Sequence, residues 1–381
     1  MMLVGKDPAT GATLRVTMSG GRIVEIARSP EPADVWLSAG LIDLQVNGFA
    51  GHDVNADDVT PDGIAAMTRA LWRVGVTTVA PTIVTAPEAK IVNALSVIAA
   101  ARAADPAIAH AIPFAHVEGP FIAADDGPRG VHDLSAVRPA DVEELRRWQR
   151  ASDGLVGIVT VSPHDDAGLE FIAAATRAGV RCAIGHTSAS PENITRAADA
   201  GAVLSTHLGN GAHAVLPRHP NYIWSQLADD RIHAGFIADG HHLTPETFRA
   251  MLRAKGIEHA HLVSDATAIA GRPAGVYRTP VGGVVELSDD GRLSQRDTGR
   301  LAGAARSLAD DVAIAAAMAD LTLSDALALA ATNPGRFVGG RGHLRPGADA
   351  DLVTFRWTPG ARALDVDTVI ADGHRIVTAP E

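Results

Sequence analysis

The chain has 381 residues, a formal charge of −11 and one cysteine. An acidic balance of this size excludes generic binding to nucleic acid or to an anionic membrane, both of which reward a basic face; a local anion pocket stays open. Cys182 alone can make neither an intrachain disulfide nor a cysteine-only zinc site. With no signal-type or membrane-length apolar run, the sequence reads as cytoplasmic, without a membrane or nucleic-acid partner.

Residues 13–17 and 22–26 alternate like short strands around a Gly20-Gly21 turn, and residues 350–355, 368–370 and 375–377 do the same at the other end, the last after an Asp372-Gly373 turn. Two terminal strand sets around a long middle predict one small β-sandwich domain built from residues 1–40 and 341–381. Between them, apolar runs at 41–46, 76–81, 112–118, 155–162, 180–186, 202–207, 232–239 and 261–265 alternate with helical spacing at 60–74, 87–104, 140–150, 166–178 and 191–200. Eight such units of near-continuous apolar strands predict an α/β fold of the (β/α)8, TIM-barrel type over residues 41–340. An open doubly wound sheet is the competing arrangement, but no Gly-x-Gly-x-x-Gly follows the first strand. Residues 271–301, rich in Gly, Pro, Asp and Arg, read as an insertion with a hairpin near the active face.

In a barrel the C-terminal strand ends converge on one mouth, so polar residues there are candidates for chemistry. Asp43, Gln45 and Asn47 belong to strand one, His116 and Glu118 to strand three, and His186 and His207 to the ends of strands five and six. Asp239, His241 and His242 follow strand seven, and Asp265 ends strand eight. Glu118, His186 and His207 offer one carboxylate and two imidazoles from three strands, the donor set of an open catalytic zinc site with a fourth position left for water. Asp265 beside such a site suits a general base that becomes the acid for the leaving group. Taken singly, each histidine reads more readily as a core residue, and a loop cap is the lesser reading of Asp265.

These motifs, in this order, resemble the amidohydrolase superfamily and, within it, the N-acetylglucosamine-6-phosphate deacetylases. The matching stretches are Gly40-Leu41-Ile42-Asp43-Leu44-Gln45-Val46-Asn47-Gly48, Val117-Glu118-Gly119-Pro120-Phe121, Gly130-Val131-His132, Ile184-Gly185-His186-Thr187 and Ser205-Thr206-His207-Leu208. They continue through Ile237-Ala238-Asp239-Gly240-His241-His242, Val263-Ser264-Asp265-Ala266-Thr267, Leu301-Ala302-Gly303 and Gly347-Ala348-Asp349-Ala350-Asp351-Leu352-Val353. Many superfamily members carry His-x-His on strand one and a carboxylated lysine on strand four. Here strand one reads Gln45-Val46-Asn47, and the three lysines, Lys6, Lys90 and Lys255, lie outside strand four. Gln45 and Asn47 are thus remnant second-metal positions.

The resemblance implies one divalent metal per subunit, expected to be zinc, on Glu118, His186 and His207. It gives Asp265 the proton transfers and His132 the polarisation of the acetyl carbonyl. His242, Asn210 and Gly211 would contact substrate, and Arg218 would reach the 6-phosphate of a neighbouring active site in a homodimer. The loop after His207 departs from the pattern: small residues and His213 replace the usual aromatic and methionine, and His219 follows Arg218. Two other readings stay open, an amidase of another N-acyl substrate with the same centre and a non-catalytic sugar-phosphate sensor.

Overall fold

The computed structural model describes residues 1–376; Val377, the end of the last expected terminal strand, and residues 378–381 lie outside the described residues. Eight parallel strands form one sheet in sequential order. They are β1 (Leu41–Val46), β2 (Val76–Val84), β3 (Ala115–Glu118), β4 (Val156–Val161), β5 (Arg181–Ile184), β6 (Ala202–Ser205), β7 (His233–Phe236) and β8 (Ala260–Leu262). The sheet closes on itself just beyond β8, where Asp265 N–H donates to Gln45 O at 3.0 Å and Asn47 N–H to Ala266 O at 2.8 Å. Ile42, Leu44, Ile158, Leu204 and Val263 share one buried inner cluster, while Val79, Val117, Val159 and Ile184 belong to a second cluster with the surrounding helices. Burial on both faces is why these strands read as continuous apolar runs.

The helices start where side-chain caps permit. Thr60, Ser190 and Thr244 accept from the backbone N–H three residues on, each with proline at the first helical position, in helices Pro61–Arg73, Pro191–Ala200 and Pro245–Lys255. The terminal segments build a seven-stranded sheet in which Trp36–Ala39 lies between Met2–Lys6 and Leu352–Arg356. This sheet folds over a core of Val16, Met18, Ile23, Leu37, Leu352 and Ile370. Its edge strand Arg22–Arg28 meets the segment leading into Leu352–Arg356 where Ile23 N–H donates to Ala348 O at 2.9 Å.

Several strand boundaries differ from the apolar runs, and two of the differences have a local cause. β2 continues through Pro81 to Val84 because Pro81, lacking an N–H, still sits in register with Val46. β3 begins at Ala115, since Ile112 caps the short helix Pro106–Ala111 and the preceding apolar residues form its exit. The insertion after β8 is a three-stranded antiparallel sheet, Gly275–Thr279, Gly283–Leu287 and Leu293–Gln295, packed on Ile269 and Ala302 at the barrel mouth. No helix among the described residues is long and apolar enough to cross a membrane.

Candidate active site

Three residues at the ends of barrel strands share an uncommon backbone. His186, His207 and Asp265 have φ of 48°, 24° and 50°, and Gly119, directly after Glu118, has φ 84°. Non-glycine residues in this region cost roughly 1–3 kcal/mol each and cluster where geometry matters to function. Here the turn brings three strand-end side chains onto a common centre with Glu118.

That centre is compact. Glu118 Oε1 lies 3.2 Å from His186 Nε2 and 3.0 Å from His207 Nε2. All three residues are buried. His186 Nδ1 sits 2.7 Å from the carbonyl of Pro128. A carbonyl only accepts, so Nδ1 carries the proton and the Nε2 lone pair faces the carboxylate. His207 Nδ1 has no hydrogen-bond partner. The His186 lone pair and a carboxylate oxygen 3.2 Å apart repel, and a bound cation would relieve that repulsion. One oxygen and two nitrogens, with a carbonyl fixing one ring, form a donor set that fits a divalent metal.

Asp265 stands beside this group on a different set of contacts. Its Oδ1 accepts from Asn47 Nδ2 at 2.7 Å and from Gln45 Nε2 at 3.1 Å, and the same Gln45 nitrogen donates to Glu118 Oε1 at 2.8 Å. The two strand-one amides therefore present N–H groups, not lone pairs, to the carboxylates. Burial and then the Glu118 charge push Asp265 up to about 6. His116, two residues before Glu118, is satisfied by Leu44 O at 3.1 Å and Thr160 Oγ1 at 2.8 Å; it belongs to the core.

His132 is buried with its ring 4.3 Å from that of His186, centroid to centroid, and its Nδ1 2.7 Å from Thr85 Oγ1. Burial brings it down to about 3, so the ring is neutral. His242 Nδ1 lies 2.8 Å from Asp239 Oδ2. His241 instead turns to the carbonyl of Asp290. Gly211, at φ +54°, approaches His186 so closely that a Cβ there would lie 2.7 Å from Nδ1. Asn210 donates to His207 O at 3.3 Å.

Asn47, Glu118, His132, His186, His207, Asn210, His242 and Asp265 line a cavity of about 470 Å³, walled also by Asn55, Ile237, Thr267, Val281 and Arg300. Arg218 and His219 are exposed and lie outside this lining; His213 turns to Tyr222 Oη at 3.0 Å. Sequence reasoning missed Thr85, the Pro128 carbonyl and the Asp126–Arg300 pair. Thr85 carried a usable signal, since it directly follows β2.

The amidohydrolase family pattern matches residues 36–376. The chain belongs to the amidohydrolase family. Among its relatives, an N-acetylglucosamine-6-phosphate deacetylase of Bacillus subtilis is 29% identical, with 84% of this chain and 81% of that protein covered. An N-acetylgalactosamine-6-phosphate deacetylase of a Shewanella species is 32% identical over 83% of this chain and 78% of that protein. Among solved structures, a mutant form of N-acetyl-D-glucosamine-6-phosphate deacetylase from Mycobacterium smegmatis, in complex with N-acetyl-D-glucosamine-6-phosphate, superposes with a TM-score of 0.87 at 28% identity. Each chain is 99% covered in that match. Amidohydrolases are metal-dependent, and among the described residues Glu118, His186 and His207 form a group that could hold a metal ion.

Proposed function

We propose that this chain removes the acetyl group from N-acetylglucosamine 6-phosphate, giving glucosamine 6-phosphate and acetate. The observation that carries the reading is the convergence of Glu118, His186 and His207 within 3.2 Å, with Asp265 tied to Glu118 through Gln45. In this reading Glu118, His186 and His207 hold a divalent metal, for which we choose zinc. When bound, it supplies the polarisation of a water and of the acyl oxygen.

Asp265 takes a proton from the attacking water and delivers it to the departing amine nitrogen. The new bond joins water oxygen to the acetyl carbon, and the carbon–nitrogen bond breaks. In this reading the neutral His132 ring, whose Nδ1 lies 2.7 Å from Thr85 Oγ1, uses an Nε2–H to stabilise the developing oxyanion. His242, oriented by Asp239, and the Asn210–Gly211 turn contact the sugar. Gln45 and Asn47 take no metal and hold Asp265 in place.

The similarity to an N-acetylgalactosamine-6-phosphate deacetylase favours the epimer as a second reading. The test is acetate release by the metal-loaded chain from both phosphorylated sugars and from N-acetylglucosamine. Fastest release from N-acetylglucosamine 6-phosphate supports the assignment. Faster release from the galacto epimer moves the substrate, and release from neither phosphate ester removes the reading.

We further propose a homodimer in which Arg218 serves the neighbouring site. Val215, 86% exposed, on the same loop, and Trp224, 54% exposed, in the helix Tyr222–Ala228 that follows it give an apolar surface to cover. Sedimentation equilibrium checks this: a monomer at micromolar concentration contradicts it.

A further inference from the structure

Among the described residues that line the active cavity, Arg300 is the one arginine, and no lysine joins it. It comes from the insertion, directly before Leu301-Ala302-Gly303. Its guanidinium grips Asp126 in a two-point fork, Nη1 to Oδ1 and Nη2 to Oδ2, each at 2.8 Å. Asp126 also lines the cavity, on the segment that leads to His132. The pair spans the mouth from the insertion to that segment. It is open to water, with side chains 43% and 69% exposed, so the attraction is screened and easily exchanged.

We propose that Arg300 is a specificity-determining residue that receives the anionic 6-substituent of the substrate from within its own subunit, alongside the Arg218 contact that the proposed dimer would add, with Asp126 holding its place in the free enzyme. This rests on the deacetylase reading above. A guanidinium fork fits a phosphate monoester as it fits a carboxylate, and a dianion outcompetes a single negative charge for it. Asp126 has somewhere to go. Arg129 Nη2 lies 3.7 Å from its Oδ1, and Arg129 is itself fixed by the carbonyls of Ala124 and His132. Release of Arg300 therefore leaves Asp126 beside a second cation.

The experiment compares kcat/KM for N-acetylglucosamine 6-phosphate with kcat/KM for N-acetylglucosamine, using the metal-loaded full chain. In Arg300→Gln the ratio of the two falls at least tenfold, chiefly through KM for the phosphate ester. In Asp126→Asn, which removes the competing charge, the ratio rises. A change below threefold in Arg300→Gln overturns the proposal. So does a fall in Asp126→Asn equal to that in Arg300→Gln, because the bridge would then serve only to shape the mouth. If the wild-type chain hydrolyses neither sugar, the deacetylase reading fails and Arg300 is tested by itself, through calorimetric binding of inorganic phosphate. Affinity at least fivefold weaker in Arg300→Gln supports an anion receptor, and equal affinity overturns it.

Discussion

Asn47 Nδ2 donates to Asp265 Oδ1 at 2.7 Å, joining the end of the first barrel strand to the end of the last across the seam where the barrel closes. The amide serves both the fold and the proton-transfer group. A hydrogen bond to a charged group contributes about 1.5–3 kcal/mol. Asn47→Ala should therefore lower kcat roughly tenfold or more while bound metal and KM stay near wild type, since Asp265 loses its aim and the ligand set is untouched. Steady-state kinetics with metal analysis checks this; wild-type kcat contradicts it.

Gly211 is constrained twice. Any other residue would hold φ +54° at a strain cost, and its Cβ would press on His186 Nδ1 at 2.7 Å. The imidazole cannot give way without leaving the Pro128 carbonyl. Gly211→Ala should weaken metal binding at least tenfold in competition with a chelating dye, with little change in melting temperature. Unaltered metal affinity would show that His186 has room to move.

Asp311 bears on stability rather than chemistry. It is fully buried in helix Leu308–Ala319, and neither carboxylate oxygen has a hydrogen-bond partner. Burial, and then the charge of Asp239, raise it well above the usual carboxylate range. A carboxyl raised on folding favours the folded state at low pH, and that advantage is lost as pH climbs from the unfolded value, about 3.9, toward the folded one. Asp311→Asn should leave stability near pH 4 almost unchanged and increase it at pH 8 by ~1–3 kcal/mol. Denaturant unfolding at the two pH values measures the difference. A variant equally or less stable at pH 8 contradicts the argument.

The barrel was legible because both faces of its strands are buried, which leaves uninterrupted apolar runs ending in single polar residues. Glu118, His186, His207 and Asp265 stood out for that reason, and the structure brings all four together. Partners supplied by backbone were not legible, because the Pro128 carbonyl that fixes His186 carries no side-chain signal. Arg300 was hidden in a turn-rich insertion whose pairing depends on Ile269 and Ala302 at the mouth, not on its own periodicity. Arg218 stands apart from the cavity of its own chain, and a role for it requires a second subunit.

The central claim is that Glu118, His186 and His207 hold the metal while Asp265 moves the proton. It is tested most directly by measuring acetate release and bound metal on the same samples of wild-type and Asp265→Asn protein, with N-acetylglucosamine 6-phosphate as substrate. The account predicts equal metal in both and turnover lower by roughly 10²–10⁴-fold in the variant, the range expected for loss of general acid–base catalysis. An Asp265→Asn protein that holds its metal and releases acetate at the wild-type rate would contradict it.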